Sequence, residues 1–222
     1  MSQIIIGFTT EGSTDNRFLE NIIIRTFVSI GYECKSQIEV ITPILYIEKP
    51  NGEDFISQIS HCSVNAFEKG IMAFCIHVDA DNSSDADVVK NKISPAFEEI
   101  QNNNLENICK NLVAIIPICM TEAWMLADKE LLKDEIGTTK SDNELGIIQK
   151  PESIANPKAA IVEAIRIARA DLVKRRRREL TISELYQPIG QKIDLKKLEV
   201  LPSYIKFQNE VRSAYKTLGY LQ

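Results

Sequence analysis

Residues 3–9 (QIIIGFT) form an unbroken apolar, β-branched run that stops at Glu11-Gly12-Ser13, the pattern of a buried strand entering a tight turn. From Ser13 or Thr14, either of which can cap a helix, the period changes. Phe18, Ile22, Arg25/Thr26 and Ile30 recur three or four apart beside Leu19, Ile23 and Phe27, which predicts a helix ending at Gly31. Ile38 to Ile47, interrupted by Pro43, reads as a second strand that is bent or at an edge. Phe55 to Phe67 has a helical pattern. Ile71 to Val78 (IMAFCIHV) is continuously apolar, as a strand buried on both faces must be, and ends abruptly in the polar loop Asp79-Ala80-Asp81-Asn82-Ser83-Ser84.

Val88 to Gln101 predicts a further helix, and Asn111 to Cys119 (NLVAIIPIC) another buried strand. Thr121 is expected to cap a helix carrying Glu122, Trp124, Met125, Leu126 and Leu131. Buried strands alternating with helices predict an α/β fold with a largely parallel sheet flanked by helices. After Gly137 the pattern changes. Residues 138–153 read as irregular, and Asn156-Pro157 opens a helix with Ile161, Ile165, Ala168 and Leu172 on one face. That helix is expected to run into Lys174-Arg175-Arg176-Arg177-Arg178. A last helix is predicted from Pro202 to Gly219, with Tyr204, Phe207, Val211 and Leu218 inward. The division expected is a domain over 1–136 and a helical region, 137–222, packed on it.

A chain of 222 residues that is 44% apolar has ample material for a core. No apolar run approaches the length needed to cross a bilayer, and the N-terminal run lacks the basic flank of a signal peptide, so a cytoplasmic protein with no membrane partner is expected. Five scattered cysteines without a Cys-x-x-Cys pair suit reduced thiols and argue against zinc. The net charge of −5 disfavours a protein that coats nucleic acid by bulk electrostatics, and leaves room for an enzyme whose carboxylates are offset by cations.

The chemistry converges on two strand ends. Glu11 follows the first strand; Asp79 and Asp81 follow a later one, two residues apart, so that on an extended backbone they face the same way. In open parallel sheets, sites form beyond the carboxyl ends of the strands. Three such carboxylates raise one another's pKa unless a cation offsets them. Mg²⁺, with Mn²⁺ as a substitute, is the hard ion that takes oxygen ligands and substrate phosphate. Metal-assisted attack on a phosphodiester follows, with Glu11 as general acid/base or ligand of a second ion, and Gly12 allowing backbone to approach the phosphate.

Glu11-Gly-Ser-Thr-Asp15 after an N-terminal strand, then Asp79-Ala-Asp81 after a buried strand, resembles the signature of the Toprim domain. That domain is shared by topoisomerases, bacterial primases, small recombination proteins and the overcoming-lysogenization-defect nucleases. The spacing is closest to the nuclease branch, which typically has a second glutamate where this chain has Asp15. Pro117 to Asp128 (PICMTEAWMLAD) resembles a block of Toprim-like proteins encoded beside ABC- or SMC-type ATPases in bacterial anti-phage loci. Pro151-Glu152, Asn156-Pro157-Lys158 and the segment from Tyr186 to Ile193 are similar to the C-terminal half of those proteins.

The resemblance implies a Toprim-like fold and a metal-dependent endonuclease acting on DNA or RNA, tRNA included. It implies the toxic effector of an antiviral defence system, controlled by an ATPase partner. It adds Asp15 and Glu122 as metal ligands and Lys158 and Lys192 as phosphate contacts. A non-catalytic, cation-stabilised interaction subunit of such an ATPase complex is the alternative. Polymerisation or strand passage would need helper domains for which 222 residues leave little room.

Plainer readings stand beside these. Glu122 also suits the first turn of a helix as a favourable negative charge. Trp124 and Met125 read as core, Asp128 as an exposed helix position, and His77 as a satisfied core residue inside its strand. Within the run Lys174–Arg178, Arg175 and Arg176 are nucleic-acid candidates, while an acidic partner surface and a solvated helix remain open. A homodimer through the C-terminal helices is compatible with the sequence, which offers no argument for it.

Overall fold

The computed structural model describes residues 2–12, 14–170 and 180–222. Four parallel strands form the main sheet: β2 (Ile6–Thr9), β4 (Leu45–Tyr46), β5 (Ala73–His77) and β6 (Leu112–Ile115), in the order β4-β2-β5-β6. Its centre is the pairing of β2 with β5, in which Thr9 lies opposite Ile76. A separate parallel pair joins β1 (Ser2–Ile4) to β3 (Ile38–Val40). Every strand pairing among the described residues is parallel, in keeping with an α/β architecture.

Alternate strand residues enter two apolar layers, as side chains on a pleated strand must. Phe8, Ala73, Cys75, Val113 and Ile115 meet α1 (Asp15–Gly31), α5 (Glu122–Met125), α6 (Lys129–Ile136), α7 (Pro157–Arg169), α8 (Tyr186–Lys192) and α10 (Pro202–Thr217). Phe74, Ile76 and Val78 face the other way, onto α2 (Phe55–Glu68) and the group of α3 (Ala86–Val88), a π turn (Val89–Ile93) and α4 (Ser94–Asn102). The sheet is covered on both faces, which explains its continuous apolar runs. Among the described residues, no helix is long and apolar enough to cross a membrane.

The structure divides several elements that the apolar pattern runs together. Residues 3–9 are two strands, because Ile5 ends the pairing with β3 and its carbonyl accepts from the Met72 N–H. Ile38 to Ile47 likewise becomes β3 and β4, with a cis Thr42-Pro43 bond between them. The helix expected over 88–101 is interrupted by the π turn. The one after Thr121 breaks at Asp128, whose carboxylate caps α6 by accepting from the Leu131 N–H; Asp128 is half-buried rather than an exposed helix position. Gly31 ends α1 without the left-handed conformation of a glycine cap, and the helical turn continues into Tyr32. Further α-helix, α9 (Leu195–Leu198), occupies the C-terminal region. α7 begins as the Asn156-Pro157 pair predicts, with the Asn156 amide oxygen accepting from the Ala159 N–H.

The C-terminal helices lie directly on the sheet domain. At the crossing of α1 and α8, Gly190 has no room for a side chain: a Cβ there would lie 2.6 Å from the Phe18 carbonyl oxygen. Trp124, fully buried as expected of core, donates its indole N–H to Ser203 Oγ at 2.7 Å and stacks edge-on against Tyr204.

Candidate active site

β2 and β5 are neighbours, so the residues just past their ends are neighbours too. His77 is the last residue of β5 and is fully buried on the α1 face. Its Nδ1 accepts from the Glu11 N–H at 3.4 Å, which assigns the ring proton to Nε2. Nε2 lies 3.1 Å from Asp79 Oδ1 and 3.0 Å from Thr121 Oγ1. The same Asp79 oxygen accepts from the Thr121 N–H at 2.9 Å and the Thr121 hydroxyl at 3.2 Å. The Asp79 N–H donates to Glu11 Oε2 at 3.1 Å. Glu11 and Asp79, 68 residues apart, are thus tied to each other directly and again through one imidazole. His77 is a satisfied core residue, and the groups that satisfy it belong to the site. Thr121 does not cap α5 with its side chain; the hydroxyl is spent on His77 and Asp79.

Asp15 opens α1 and folds back, its Oδ2 accepting from the Gly12 N–H at 3.1 Å. A Cβ on Gly12 would lie 2.9 Å from that oxygen, so the glycine admits the carboxylate beside the turn. Burial pushes the Asp15 carboxyl up to about 6; His77 opposes that rise, the Asp79 and Glu122 carboxylates add to it, and the Gly12 N–H opposes it more weakly.

Asp81 does not continue an extended backbone from Asp79, contrary to the expectation that the two side chains share one side. Its φ is +52°, and across the loop Cys119 has φ +60°. The Asp81 N–H donates to the Cys119 carbonyl at 2.8 Å and the Cys119 N–H to the Asn82 carbonyl at 3.0 Å, so the two strained turns brace each other. Left-handed backbone at residues with a Cβ costs on the order of 1 kcal/mol each and gathers at functional sites. Asp81 itself is exposed; residual burial raises its carboxyl, and the Glu11 and Asp79 carboxylates add to the rise.

No family model, curated protein or solved structure matches the chain. The site therefore stands on its own geometry.

Glu122, buried at the start of α5, accepts a short hydrogen bond from the Tyr186 hydroxyl, and Lys158 Nζ lies 3.7 Å from the same oxygen. Burial raises the Tyr186 hydroxyl well above the usual tyrosine range, and the carboxylate it meets raises it further. Lys158 thus comes to the carboxylates. Lys192 goes elsewhere, pairing with Glu135 at 2.6 Å. Arg175, Arg176 and the rest of the run Lys174–Arg178 lie outside the described residues.

Two cations missing from the sequence reading lie within the field of Glu11. Lys92, in the π turn, has Nζ 3.7 Å from Glu11 Oε1. Lys49, after β4, lies over the Phe55 ring; burial holds its ammonium below the ordinary lysine range, and the Glu11 field opposes that. Nothing in the local sequence marks either lysine, or Tyr186, since each meets its partner only through the fold. His77 carried a signal that its reading as core left unused: it ends β5 only two residues before Asp79.

Among the described residues, no group of three or more His, Cys, Asp or Glu side chains is arranged to hold a metal ion. What the site has is a crowd of carboxylates in which Asp79 and Glu122 add to the rise at Asp15 and Glu11 and Asp79 add to the rise at Asp81, with one oxygen each of Glu11, Asp15 and Asp79 already held by protein N–H groups.

Proposed function

We propose that this chain is a divalent-cation-dependent phosphodiesterase acting on nucleic acid, a Toprim-like nuclease with its centre at Glu11 and Asp79. The observation that carries the proposal is the 3.1 Å hydrogen bond from the Asp79 N–H to the Glu11 carboxylate, which unites the carboxyl ends of adjacent parallel strands in one acidic edge. Around it lie Asp15, whose carboxyl feels the fields of Asp79 and Glu122, and Asp81, which feels those of Glu11 and Asp79.

The donor set suits a hard cation. Mg²⁺ binds through one or two carboxylates and completes its shell with water and phosphate oxygens, so a cage of three protein ligands is not required. Glu11 and Asp79 would hold it, with Asp81 and Asp15 beside them; Mn²⁺ would serve equally. A bound cation of this kind supplies charge at the phosphoryl oxygens and an activated water.

The chain's own residues do the rest. His77 and Thr121 immobilise Oδ1 of Asp79, and the Gly12 N–H holds Asp15. Glu11 is exposed enough to pass a proton to or from solvent or leaving group, which suits a general acid/base. Lys158 sets a positive charge beside Glu122. Control by an ABC- or SMC-type ATPase, a toxic role in antiviral defence and tRNA as substrate belong to this proposal through the family resemblance alone.

One observation favours the non-catalytic alternative: Lys92 and Lys158 already sit against Glu11 and Glu122. Cleavage of plasmid DNA, single-stranded DNA and total tRNA in Mg²⁺ or Mn²⁺ decides between the two. Wild type is expected to cleave at least one substrate, with activity abolished by EDTA and reduced at least 100-fold in Glu11→Ala and Asp79→Ala. Activity surviving in both variants would place the chemistry elsewhere. A chain inert alone and with its ATPase partner would leave the docking subunit as the better reading.

A further inference from the structure

The lysines at the site arrive from opposite sides of the sheet. Lys92 belongs to the helical group whose Val88, Ile93 and Ala96 pack in the layer with Phe74 and Ile76. Lys158 belongs to α7, whose Ile161, Ala164 and Ile165 pack in the layer with Ala73 and Cys75. Lys49 leaves the end of β4 and comes within the field of both Lys92 and Glu11. Between these cations runs the line of Glu11, Asp79 and Glu122. The charge order across the carboxyl edge is therefore positive on one face, negative at the strand ends and positive on the other face.

Neither bonded lysine is firmly committed to its carboxylate. Both Nζ–O separations are 3.7 Å, and the lysine side chains are 37% (Lys92) and 54% (Lys158) exposed. The Lys92–Glu11 pair, long and exposed on both sides, contributes little; at Glu122 the carboxylate is buried and Lys158 approaches it from solvent. Lys192 and Glu135, at 2.6 Å, show what a closed pair in the same molecule looks like. Lys92 also sits in a π turn, a distortion that recurs at functional sites.

Building on the phosphodiesterase reading, we propose that Lys49 and Lys92 on one face and Lys158 on the other form a track that holds the backbone of one nucleic-acid strand across the edge of the sheet. The scissile phosphate lies at the carboxylates and neighbouring phosphates lie at the lysines. The substrate class is thus a polynucleotide engaged through several consecutive phosphates, rather than a nucleotide or a small phosphodiester. Lysine suits this use, as a compact charge that binds phosphate without reading bases.

The test is the salt dependence of binding. A labelled single-stranded oligonucleotide would be titrated at several ionic strengths with Ca²⁺ present, a hard cation with the same oxygen preference. Wild type, Lys49→Gln/Lys92→Gln, Lys158→Gln and, as a control on the exposed end of α10, Lys216→Gln would be compared, each checked by thermal melting. Each phosphate contact on a single strand contributes about 0.7 to the slope of log affinity against log salt. The double variant is expected to lose about 1.4 and Lys158→Gln about 0.7, with Lys216→Gln unchanged. An unchanged slope in the double variant, or an equal loss in the control, overturns the track. If wild type still cleaves a nucleic acid in that case, the phosphodiesterase reading survives without it. If wild type neither binds nor cleaves, both fall.

Discussion

Asp15 holds its carboxyl up to about 6 because the fold buries it, whereas an unburied aspartate titrates at 3.8. The folded chain therefore binds that proton more tightly than the unfolded chain. The stability this contributes is complete below pH 3.8 and is lost as pH rises through about 6. Within the window each pH unit removes at most ~1.4 kcal/mol. Melts of wild type and Asp15→Asn in metal-free buffer check it: the melting temperature of the variant minus that of wild type should grow steadily as pH rises through that window. A difference that stays flat would mean that burial does not set the charge. At this scale the meeting of Glu11 and Asp79 was legible, because each lies just past an apolar run that ends a strand; the direction of Asp81 was not, because its left-handed backbone leaves the extended path. Thr121 was misread because a threonine before a helix usually caps it, and only contact with β5 showed where its hydroxyl goes.

Elements were legible where periodicity and end signals agreed. α1, α2, α7 and α10 follow spaced apolar faces, with Asn156 opening α7 and Gly219 closing α10 as expected. The unbroken apolar runs misled, because a strand that changes partner keeps its composition: Ile4 pairs toward β3 and Ile6 toward β5 with one residue between them. The crossing of α1 and α8 shows what a contact between elements requires. A methyl group on Gly190 would meet the Phe18 carbonyl oxygen, Cα and carbonyl carbon at 2.6, 2.9 and 3.2 Å, and backbone cannot swing aside as a long side chain can. Gly190→Ala is expected to destabilise the fold by roughly 1–3 kcal/mol, as overpacking does, read as a lower denaturant midpoint. Since α8 carries Tyr186 onto Glu122, activity should fall along with stability. A midpoint unchanged from wild type would show that α8 relaxes freely on α1.

Across the whole molecule, the expected boundary near residue 136 coincides with Gly137, a left-handed helix end, but the apolar core does not stop there. Ile161, Leu185, Tyr186, Ile189, Tyr204, Phe207, Val211 and Tyr215 share one cluster with Phe18, Ile22, Phe27 and Trp124. A fragment of residues 1–136 should accordingly bind a hydrophobic dye and melt without a cooperative transition, since removing those side chains exposes one face of its core. A sharp melt from the fragment would mean that the two regions fold separately. Taken alone, the sequence determined the α/β class, the parallel sheet, the strand ends that bear Glu11, Asp79 and Asp81, and the Asn156 cap of α7. Those follow from local periodicity and from which residues tolerate burial, and both are written along the chain. The tertiary structure alone decided that Lys92 comes to Glu11, that Lys158 and Tyr186 come to Glu122, that Lys192 comes to neither, and that Asp81 turns left-handed against Cys119. Such contacts join residues tens of positions apart, and their energies depend on distance and burial, which no local pattern encodes.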